Sequence, residues 1–452
     1  MPIDPDTIVA IATPRGSGAV GVVRLSGDRV PGLLARHLRW RSGRQPAPRS
    51  MGCAAFIDDA GAVVDDVLAV YFPAPRSYTG EEVAEIHAHG SPIVLDTIVA
   101  SLTAGEARLA RPGEFTERAF LAGKIDLTQA EAVQSLIAAR SRDGAALAQR
   151  LLGGELGRRI AALQAALVEV EAEVEARIDF MEEELDLAAA DQLARRLEVL
   201  IAQVDRLLHG YAAARRLVAG VRVVLVGETN VGKSSIFNRL LEESRSIVTS
   251  EAGTTRDYVE VEVEWQRMAV HLIDTAGWRV GESVAEAEGI SRSHHELGRA
   301  DQVLHVVDAS RPQVRPTTAV ELPNVPTLVV WNKIDIGLPS PPPALGLGGE
   351  VQPVCALSGE GIERVRDWVV AAGRGGVNAD AESLLCLPRQ RDAMRRARRA
   401  LAAAQHGLAA DESPELIAFE LRDAQEALGE IVGLKTGEAV LDAIFSRFCV
   451  GK

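Results

Sequence analysis

The stretch VRVVLVGETNVGKS, residues 221–234, decides the fold of the central third of this chain. Its first six residues form an apolar run typical of a parallel strand buried on both faces. Gly227 to Ser234 then match the pattern G-x-x-x-x-G-K-[ST], and the following SIFNRLL is typical of a helix. A strand, a glycine-rich loop and a helix in this order predict a doubly wound, mostly parallel α/β domain.

The residue types in this loop predict a phosphate site. Glycines let backbone N–H groups converge on phosphates at a helix N-terminus. Lys233 supplies a positive charge, and the Ser234 hydroxyl can ligate Mg²⁺. The other candidate nucleotide contacts in the loop are Gly227, Asn230, Val231, Gly232 and Ser235.

Three downstream motifs indicate which nucleotide binds. DTAG (274–277) places Asp274 after an apolar strand, where a carboxylate can hold Mg²⁺ through water. NKID (332–335) follows TLVVW, and its Asp335 can accept both N–H donors on the guanine edge. Adenine lacks that pair of donors, so the motif selects GTP over ATP.

The last motif, VCALSG, completes the base site with Cys355, Ala356 and Leu357, and Asn332 and Lys333 of NKID belong to the same site. Serine is commoner at the position of Cys355, but the base contacts there are largely backbone, so cysteine is tolerable. Four motifs in this order predict GTP binding.

Outward from this domain, 452 residues indicate about three domains. We predict an α+β domain over 1–120, a helical part over 121–216, an inserted α/β domain over 217–376, and a second helical part over 377–452. Apolar residues spaced by three or four from Leu156 to Ile178, and again from Leu193 to Leu207, predict long amphipathic helices.

The charge balance restricts the partners. A net charge of −14 argues against non-specific coating of nucleic acid, which depends on Lys and Arg neutralising phosphates. Any RNA contact therefore needs a local basic patch. The best candidate is RQRDAMRRARR (389–399), although a solvated helix face explains this run at least as well.

The composition also predicts a cellular setting. The N-terminus lacks a secretion signal and no apolar run reaches the length of a membrane helix, so we expect a cytoplasmic protein without a membrane partner. The four cysteines are scattered without a CxxC pair, which predicts reduced thiols and no zinc site.

Segments outside the nucleotide motifs carry a family resemblance. They are DTIVAIATPRGSGAVGVVRLSG, YTGEEVAEIHAHG, RLARPGEFTERAFLAGKIDLTQAEA, GTTRD (253–257) and AIFSRFCVGK. Together with Asn230 they resemble the MnmE (TrmE) family of tRNA-modification GTPases along the whole chain.

This resemblance implies a potassium-type GTPase site. K⁺ would be held by Asn230, Thr249, the backbone of Glu251 and Thr254, and Mg²⁺ by Ser234 and Thr255. A cation there can neutralise charge developing on the phosphates, in place of an arginine finger. The remaining implied GTP contacts are Ser250, Ala252, Gly253, Thr275, Ala276 and Gly277.

The resemblance also implies the group that activates water. Trp278 stands after DTAG where many GTPases have Gln, and an indole can donate only one hydrogen bond. Glu286 matches the catalytic acidic residue of the family, and a carboxylate can act as a general base. The alternative is a solvated glutamate in an acidic segment with Glu282 and Glu288.

For the two ends of the chain, the resemblance implies a folate site. Arg24, Glu85, Lys124 and Lys452 would bind 5,10-methylene- or 5-formyl-tetrahydrofolate, and Cys449 in FCVGK would have a catalytic role. Without the resemblance, Arg24 and Lys124 would be interpreted as surface charges and Cys449 equally well as a small buried residue. AHGSP (88–92) departs from the family's glycine-rich GHGG.

The function implied is that of a homodimeric enzyme. With the FAD-dependent partner MnmG, in a heterotetramer-type complex, it would install a carboxymethylaminomethyl or aminomethyl group on C5 of the wobble uridine of certain tRNAs. The alternative is a regulatory GTPase switch in ribosome or cofactor assembly, which accounts for the GTP motifs but not for the N-terminal segments or FCVGK.

Overall fold

The computed structural model describes residues 6–104, 107–179, 190–242, 259–274, 296–311, 323–337, 350–375, 384–434 and 436–451. The chain divides into two compact units. The first comprises Met1–Gln134, Gly157–Ala161 and Leu428–Lys452, and the second comprises Ser135–Leu156 and Ala162–Ala427.

The first unit is built on a seven-stranded sheet of order β3-β4-β5-β6-β2-β1-β7. Its strands are β1 (Thr7–Ile11), β2 (Val20–Ser26), β3 (Leu38–Trp40), β4 (Gly52–Ile57), β5 (Val63–Phe72), β6 (Val83–His89) and β7 (Ala107–Leu109). Neighbouring strands are antiparallel except β1 and β7. Apolar residues of helices α1 (Val30–His37) and α2 (Pro92–Thr103) share the core on one face.

The same unit brings the C-terminus to the N-terminal sheet. Phe115 of helix α3 (Glu114–Leu121) is buried with Ile8 and Ala10 of β1. Gly113, just before α3, has φ +70°, and a Cβ there would lie 2.6 Å from the Phe445 carbonyl oxygen. Glycine therefore allows the chain near Phe445 to approach closely.

The last helix completes this packing. Leu127 and Ala130 of helix α4 (Leu127–Ile137) are buried against the C-terminal segment, which contributes three apolar side chains. These side chains are Leu441, Phe445 and Phe448.

The second unit contains a six-stranded sheet of order β13-β12-β11-β8-β10-β9. Its strands are β8 (Val221–Val226), β9 (Val259–Trp265), β10 (Met268–Asp274), β11 (Gln302–Asp308), β12 (Thr327–Asn332) and β13 (Glu350–Val354). All neighbours are parallel except the hairpin of β9 and β10. β8 pairs with β10 and β11, which explains why its sequence is apolar. Helices α8 (Lys233–Glu242) and Ile362–Arg374 belong to this domain.

Further helices of the described residues are α5 (Arg142–Leu152), α6 (Glu155–Asp179), α7 (Ala190–Ala219), α10 (Pro388–Ala409), α11 (Pro414–Val432) and α12 (Glu438–Phe445), and the α/β-domain helix Ile362–Arg374 is α9. The predicted apolar stripes are confirmed, because Leu156, Ile160 and the following members to Val174 are buried, as are Leu193 to Leu207 of α7. Among the described helices, none combines the length and apolar character needed to cross a bilayer.

The α/β domain is inserted between two helices that pack together, α7 and α10. At the end of α7, Arg216 Nε donates to the Gly373 carbonyl oxygen in the last turn of α9 at 2.7 Å. The chain therefore enters and leaves this domain at neighbouring points. Asp143 of α5 lies beside the same domain, since its carboxylate accepts from Arg267 Nε at 2.7 Å.

Candidate functional site

The GETNVGKS loop lies between β8 and α8, and two of its glycines are required by close contacts. Gly227 has φ +148° and Gly232 has φ +98°, where other residues are strained. A Cβ would lie 2.4 Å from the Val306 carbonyl oxygen at Gly227, and 2.3 Å from the Asn332 side-chain nitrogen at Gly232. The glycine pattern therefore fixes a tight loop against β11 and β12.

Lys233, at the start of α8, points into this loop. Its Nζ donates to the carbonyl oxygens of Gly227 at 2.8 Å and Glu228 at 2.6 Å. Burial of the side chain lowers the pKa of Lys233. The ammonium is thus held inside the loop, where a phosphate oxygen would compete for the same protons.

Ser234 and Asp274 form an oxygen-rich pair next to Lys233. The Ser234 hydroxyl donates to Asp274 Oδ2 at 2.9 Å, and Asp274 is buried at the end of β10. A hydroxyl and a carboxylate are oxygen ligands of the kind that Mg²⁺ takes, so the donor set fits this metal.

The first two residues of NKID connect the nucleotide loops. Asn332 is buried; its Nδ2 donates to the Val231 carbonyl at 2.8 Å, and its Oδ1 accepts from the Ala356 N–H at 3.2 Å. Lys333 has φ +68°, and its Nζ donates to the Asn230 carbonyl at 2.9 Å. Both side chains bind backbone of the phosphate loop.

Asp335 and the VCALSG loop lie at the edge of this assembly. The side chain of Asp335 is exposed, and that of Leu357 is 78% exposed. Cys355 is buried instead, and its Sγ accepts from the Ser358 N–H at 3.5 Å. The Cys355 side chain thus supports the turn of this loop.

Ser235 lies in the first turn of α8 and is exposed, as is Asn230 in the loop. Several predicted residues lie outside the described part of the chain. They are Thr249, Ser250, Glu251, Ala252, Gly253, Thr254, Thr255, Thr275, Ala276, Gly277, Glu286 and Lys452, with the neighbouring Trp278, Glu282 and Glu288.

Sequence reasoning missed Asp308, which lies at the carboxyl end of β11. Its Oδ2 accepts from Lys333 Nζ at 2.6 Å, and its Oδ1 accepts from the Ser310 hydroxyl. Burial acts to raise the pKa of Asp308, but the hydrogen bonds from Lys333 and Ser310 outweigh it, so the pKa is lowered. An acidic residue ending a buried parallel strand was the available signal.

In the first unit, Arg24 and Glu85 lie directly opposite each other on β2 and β6. Arg24 Nε and Nη2 donate to Glu85 Oε1 at 3.0 and 2.8 Å, and Nη1 donates to the Gly451 carbonyl at 3.3 Å. The Arg24 guanidinium also lies 5.9 Å from the centre of the Phe115 ring. Arg24 is a half-buried, paired group rather than a free surface charge.

Another residue that sequence reasoning missed is His87. Its Nε2 lies 3.4 Å from Glu85 Oε2. Alternation along β6 places residues 85 and 87 on one face, and this was the signal that could have identified it.

Lys124 and Cys449 have different surroundings. Lys124 is exposed between α3 and α4, and its Nζ donates to the Pro75 carbonyl at 2.6 Å. Cys449 is exposed, so the alternative of a small buried residue is wrong. Its carbonyl accepts from the Gly113 N–H at 3.4 Å, which holds the tail against the start of α3.

Comparisons with known proteins find related domains in both parts of the chain. A family model described as the MnmE helical domain matches residues 127–449, and one described as the GTP-binding protein TrmE N-terminus matches residues 7–124. The G domain of the T. maritima FeoB iron transporter is 27% identical and covers 34% of this chain and 98% of its own, with a TM-score of 0.26.

Full-length relatives are named tRNA modification GTPase MnmE. The protein of Alkalilimnicola ehrlichii is 43% identical over 451 residues, which are 99% of each chain. That of Methylococcus capsulatus is 41% identical, again over 99% of each chain. With two family models and relatives that match from end to end, the chain belongs to the MnmE family of tRNA-modification GTPases.

Proposed function

We propose that this enzyme is a potassium-activated GTPase which, with the FAD-dependent partner MnmG, installs a carboxymethylaminomethyl or aminomethyl group on C5 of the wobble uridine of certain tRNAs. A one-carbon tetrahydrofolate supplies the carbon. The enzyme acts as a cytoplasmic homodimer in a heterotetramer-type complex with MnmG. Gly16, Gly18 and Gly21 match the spacing GxGxxG, but they lead into strand β2 and not into a helix, so this stretch lacks the context of a dinucleotide-binding fingerprint. This favours a partner as the carrier of the redox cofactor.

The G-domain geometry supports the hydrolytic half of this proposal. Ser234 and Asp274 provide oxygen atoms for Mg²⁺, and Lys233 is positioned inside the phosphate loop. Asn230 is exposed on that loop, where its side-chain oxygen would serve as a K⁺ ligand. K⁺ bound there supplies positive charge beside the phosphates. Glu286 is assigned to water activation because Trp278 cannot accept a proton.

The observation that carries the folate half is the contact between Arg24 and Gly451. It joins the predicted folate residues to the tail that contains Cys449, because Arg24 binds both Glu85 and the Gly451 carbonyl. A carboxylate can accept two N–H bonds from a pterin edge, and Arg and Lys suit anionic glutamyl groups. Glu85 is therefore the predicted anchor of the pterin.

The test measures folate binding and modification in the same variants. Calorimetry with 5-formyl-tetrahydrofolate should show binding to the full chain, and Glu85→Gln should lose most of it. The exposed Asp66→Asn serves as the matched control. In a strain lacking the enzyme, mass spectrometry of wobble uridines should show modification restored by the unmodified chain and by Asp66→Asn only.

Two results would contradict parts of this proposal. Binding of folate that is equal in all three proteins would remove Glu85 from the site. Wobble uridines that stay fully modified in the strain lacking the enzyme would favour the regulatory GTPase switch over the modifying enzyme.

A further inference from the structure

A basic stripe on α10 stands out against the negative charge of the whole chain. Residues 389–399 contain six arginines and one aspartate, while the chain carries a net charge of −14. The whole run is helical, because α10 begins at Pro388. On the inner face of α10, Ala393, Met394 and Ala397 are buried. The arginines are therefore displayed on the outer face and its two shoulders.

Two of the shoulder arginines are engaged within the fold. Arg398 Nε donates to Asp205 of α7 at 3.1 Å. Arg391 lies 5.0 Å from the centre of the Tyr211 ring, also on α7. These contacts attach α10 to α7.

Arg395 and Arg399 differ from them. Both are exposed, and neither makes a hydrogen bond or ion pair within the described residues. They are four residues apart and so lie one above the other on the helix, an arrangement that costs a little stability because like charges repel. Folding thus gives no reason for this pair, whereas an anionic partner would.

The shape of the surface also suits a ligand with separated charges. A depression of about 500 Å³ is lined only by residues of this stripe. Its lining residues are Asp392, Arg395, Arg396, Arg398 and Arg399. Guanidinium groups bind phosphate oxygens in pairs of hydrogen bonds, and several along one helix match the repeated phosphates of a nucleic acid backbone.

We infer that the outer face of α10, centred on Arg395 and Arg399, binds the phosphate backbone of tRNA. This inference rests on the proposed function, which requires tRNA as substrate. Backbone contacts of this kind position the RNA without reading its sequence. The stripe therefore supplies affinity and orientation, while selection among tRNAs comes from elsewhere.

The test is the salt dependence of tRNA binding to the full-length double variant Arg395→Gln/Arg399→Gln. Each lost phosphate contact should reduce the slope of log affinity against log salt by roughly 0.7–0.9, so the pair should reduce it by about 1.5. The control is Arg159→Gln/Arg364→Gln, which removes two exposed arginines elsewhere and should leave the slope unchanged. GTP hydrolysis without tRNA should be equal in all three proteins, which verifies folding.

Three outcomes would overturn the inference. The salt slopes could be equal in all three proteins, or both double variants could reduce the slope equally. The substitutions in α10 could also weaken binding of an acidic peptide while leaving tRNA affinity unchanged. Wobble-uridine analysis separates this failure from that of the proposed function. If the unmodified chain and the α10 variant restore modification equally, the enzyme is a tRNA modifier that does not use this face. If neither restores it, the proposed function itself fails.

Discussion

Asn332 and Lys333 shape the nucleotide site through backbone contacts rather than through the base. Asn332 binds the carbonyl of Val231 and the N–H of Ala356, and Lys333 binds the carbonyl of Asn230. Each hydrogen bond of the buried Asn332 contributes about 1 kcal/mol, and leaving its partners unsatisfied costs more. With both side chains engaged, Asp335 remains the residue predicted to select the base.

Replacing Asp335 by Asn should weaken GTP binding at least ~100-fold, because two hydrogen bonds to a charged acceptor are worth about 1.5–3 kcal/mol each. Affinity for xanthosine triphosphate should rise, since its base has a carbonyl where guanine has an amino group and the new amide can donate to it. Fluorescent-nucleotide titration measures both. Asp367→Asn, an exposed aspartate of α9, should change neither. Unaltered GTP affinity would remove Asp335 from the base site.

Potassium dependence tests Asn230. Hydrolysis should be faster in K⁺ than in Na⁺, and this difference should vanish when the side-chain oxygen is removed. Asn230 has φ +63°, where alanine is strained, so Asn230→Gly is the cleaner substitution and Asn230→Ala the comparison. Thr229→Ala, at the neighbouring exposed position, should retain the response. Equal rates of the unmodified enzyme in the two salts would refute potassium activation.

Glu286→Ala should abolish most hydrolysis while sparing GTP affinity, because the carboxylate is assigned to water and not to the nucleotide. Loss of a positioned general base typically costs ~10²–10⁴ in rate, which single-turnover measurements resolve. Glu282→Ala and Glu288→Ala are the matched controls from the same acidic segment. If all three variants hydrolyse GTP equally fast, another group activates the water.

At the scale of the element, α3 is anchored by charge. Glu114, 2% exposed, accepts from Arg108 Nη1 at 2.8 Å and from Arg118 Nη2 at 2.9 Å. The N–H of Arg111 donates to the same carboxylate at 2.8 Å. Burial acts to raise the pKa of Glu114, but these hydrogen bonds outweigh it and lower the pKa to about 2.

This lowered pKa predicts acid sensitivity. The pKa of Glu114 is about 4.5 in the unfolded chain, so its contribution to stability is fully present above pH 4.5 and is lost as pH falls towards 2. The contribution is on the order of 3 kcal/mol. Urea unfolding at pH 5 and pH 3 should therefore show a smaller pH dependence in Glu114→Gln, together with lower stability at pH 7. The control Glu363→Gln, at an exposed position, should have the same pH dependence as the unmodified chain. If Glu114→Gln also has that pH dependence, the hydrogen bonds of Glu114 do not contribute to stability.

The elements also show what a sequence can predict. β8 and the apolar stripes of α6 and α7 were predictable because each follows from a local repeat of apolar residues. The pairing of Arg24 with Glu85 was not, because it depends on β2 and β6 being neighbours although the residues are 61 positions apart. The start of α10 at Pro388 likewise depends on specific contacts, because buried Gln390 accepts from the N–H groups of Cys386 and Leu387.

At the scale of the whole molecule, the GTPase domain is inserted into a helical scaffold. Arg216 at the end of α7 donates to the Gly373 carbonyl, so a cation lies at the C-terminus of α9, where the helix dipole favours it. Burial lowers the pKa of Arg216, and the nearby negative charge of Asp301 acts in the opposite direction. This contact joins the helix that leads into the inserted domain to the last helix of that domain.

Arg216→Ala should weaken the contact between the end of α7 and the end of α9. A hydrogen bond from a charged donor is worth about 1.5–3 kcal/mol, so amides in the last turn of α9 should exchange ~10- to 100-fold faster, provided that they open locally. Hydrogen exchange followed by mass spectrometry on peptides near Gly373 measures this. Arg364→Ala removes an exposed arginine from the same helix and should leave their exchange unaltered. Unchanged exchange in Arg216→Ala would mean that the contact does not hold the two helices together.

The neighbouring entry and exit of the inserted domain have a mechanical consequence. Two chain connections that lie side by side act as a hinge: they bear tension, but they oppose rotation of the domain weakly because the lever arm between them is short. Rotation of the inserted domain relative to α7 and α10 is therefore limited mainly by side-chain contacts near these two connections. Asp143 lies at the same place, since its carboxylate accepts from Arg267 at 2.7 Å and from Arg374 at 3.4 Å, and these contacts oppose such a rotation.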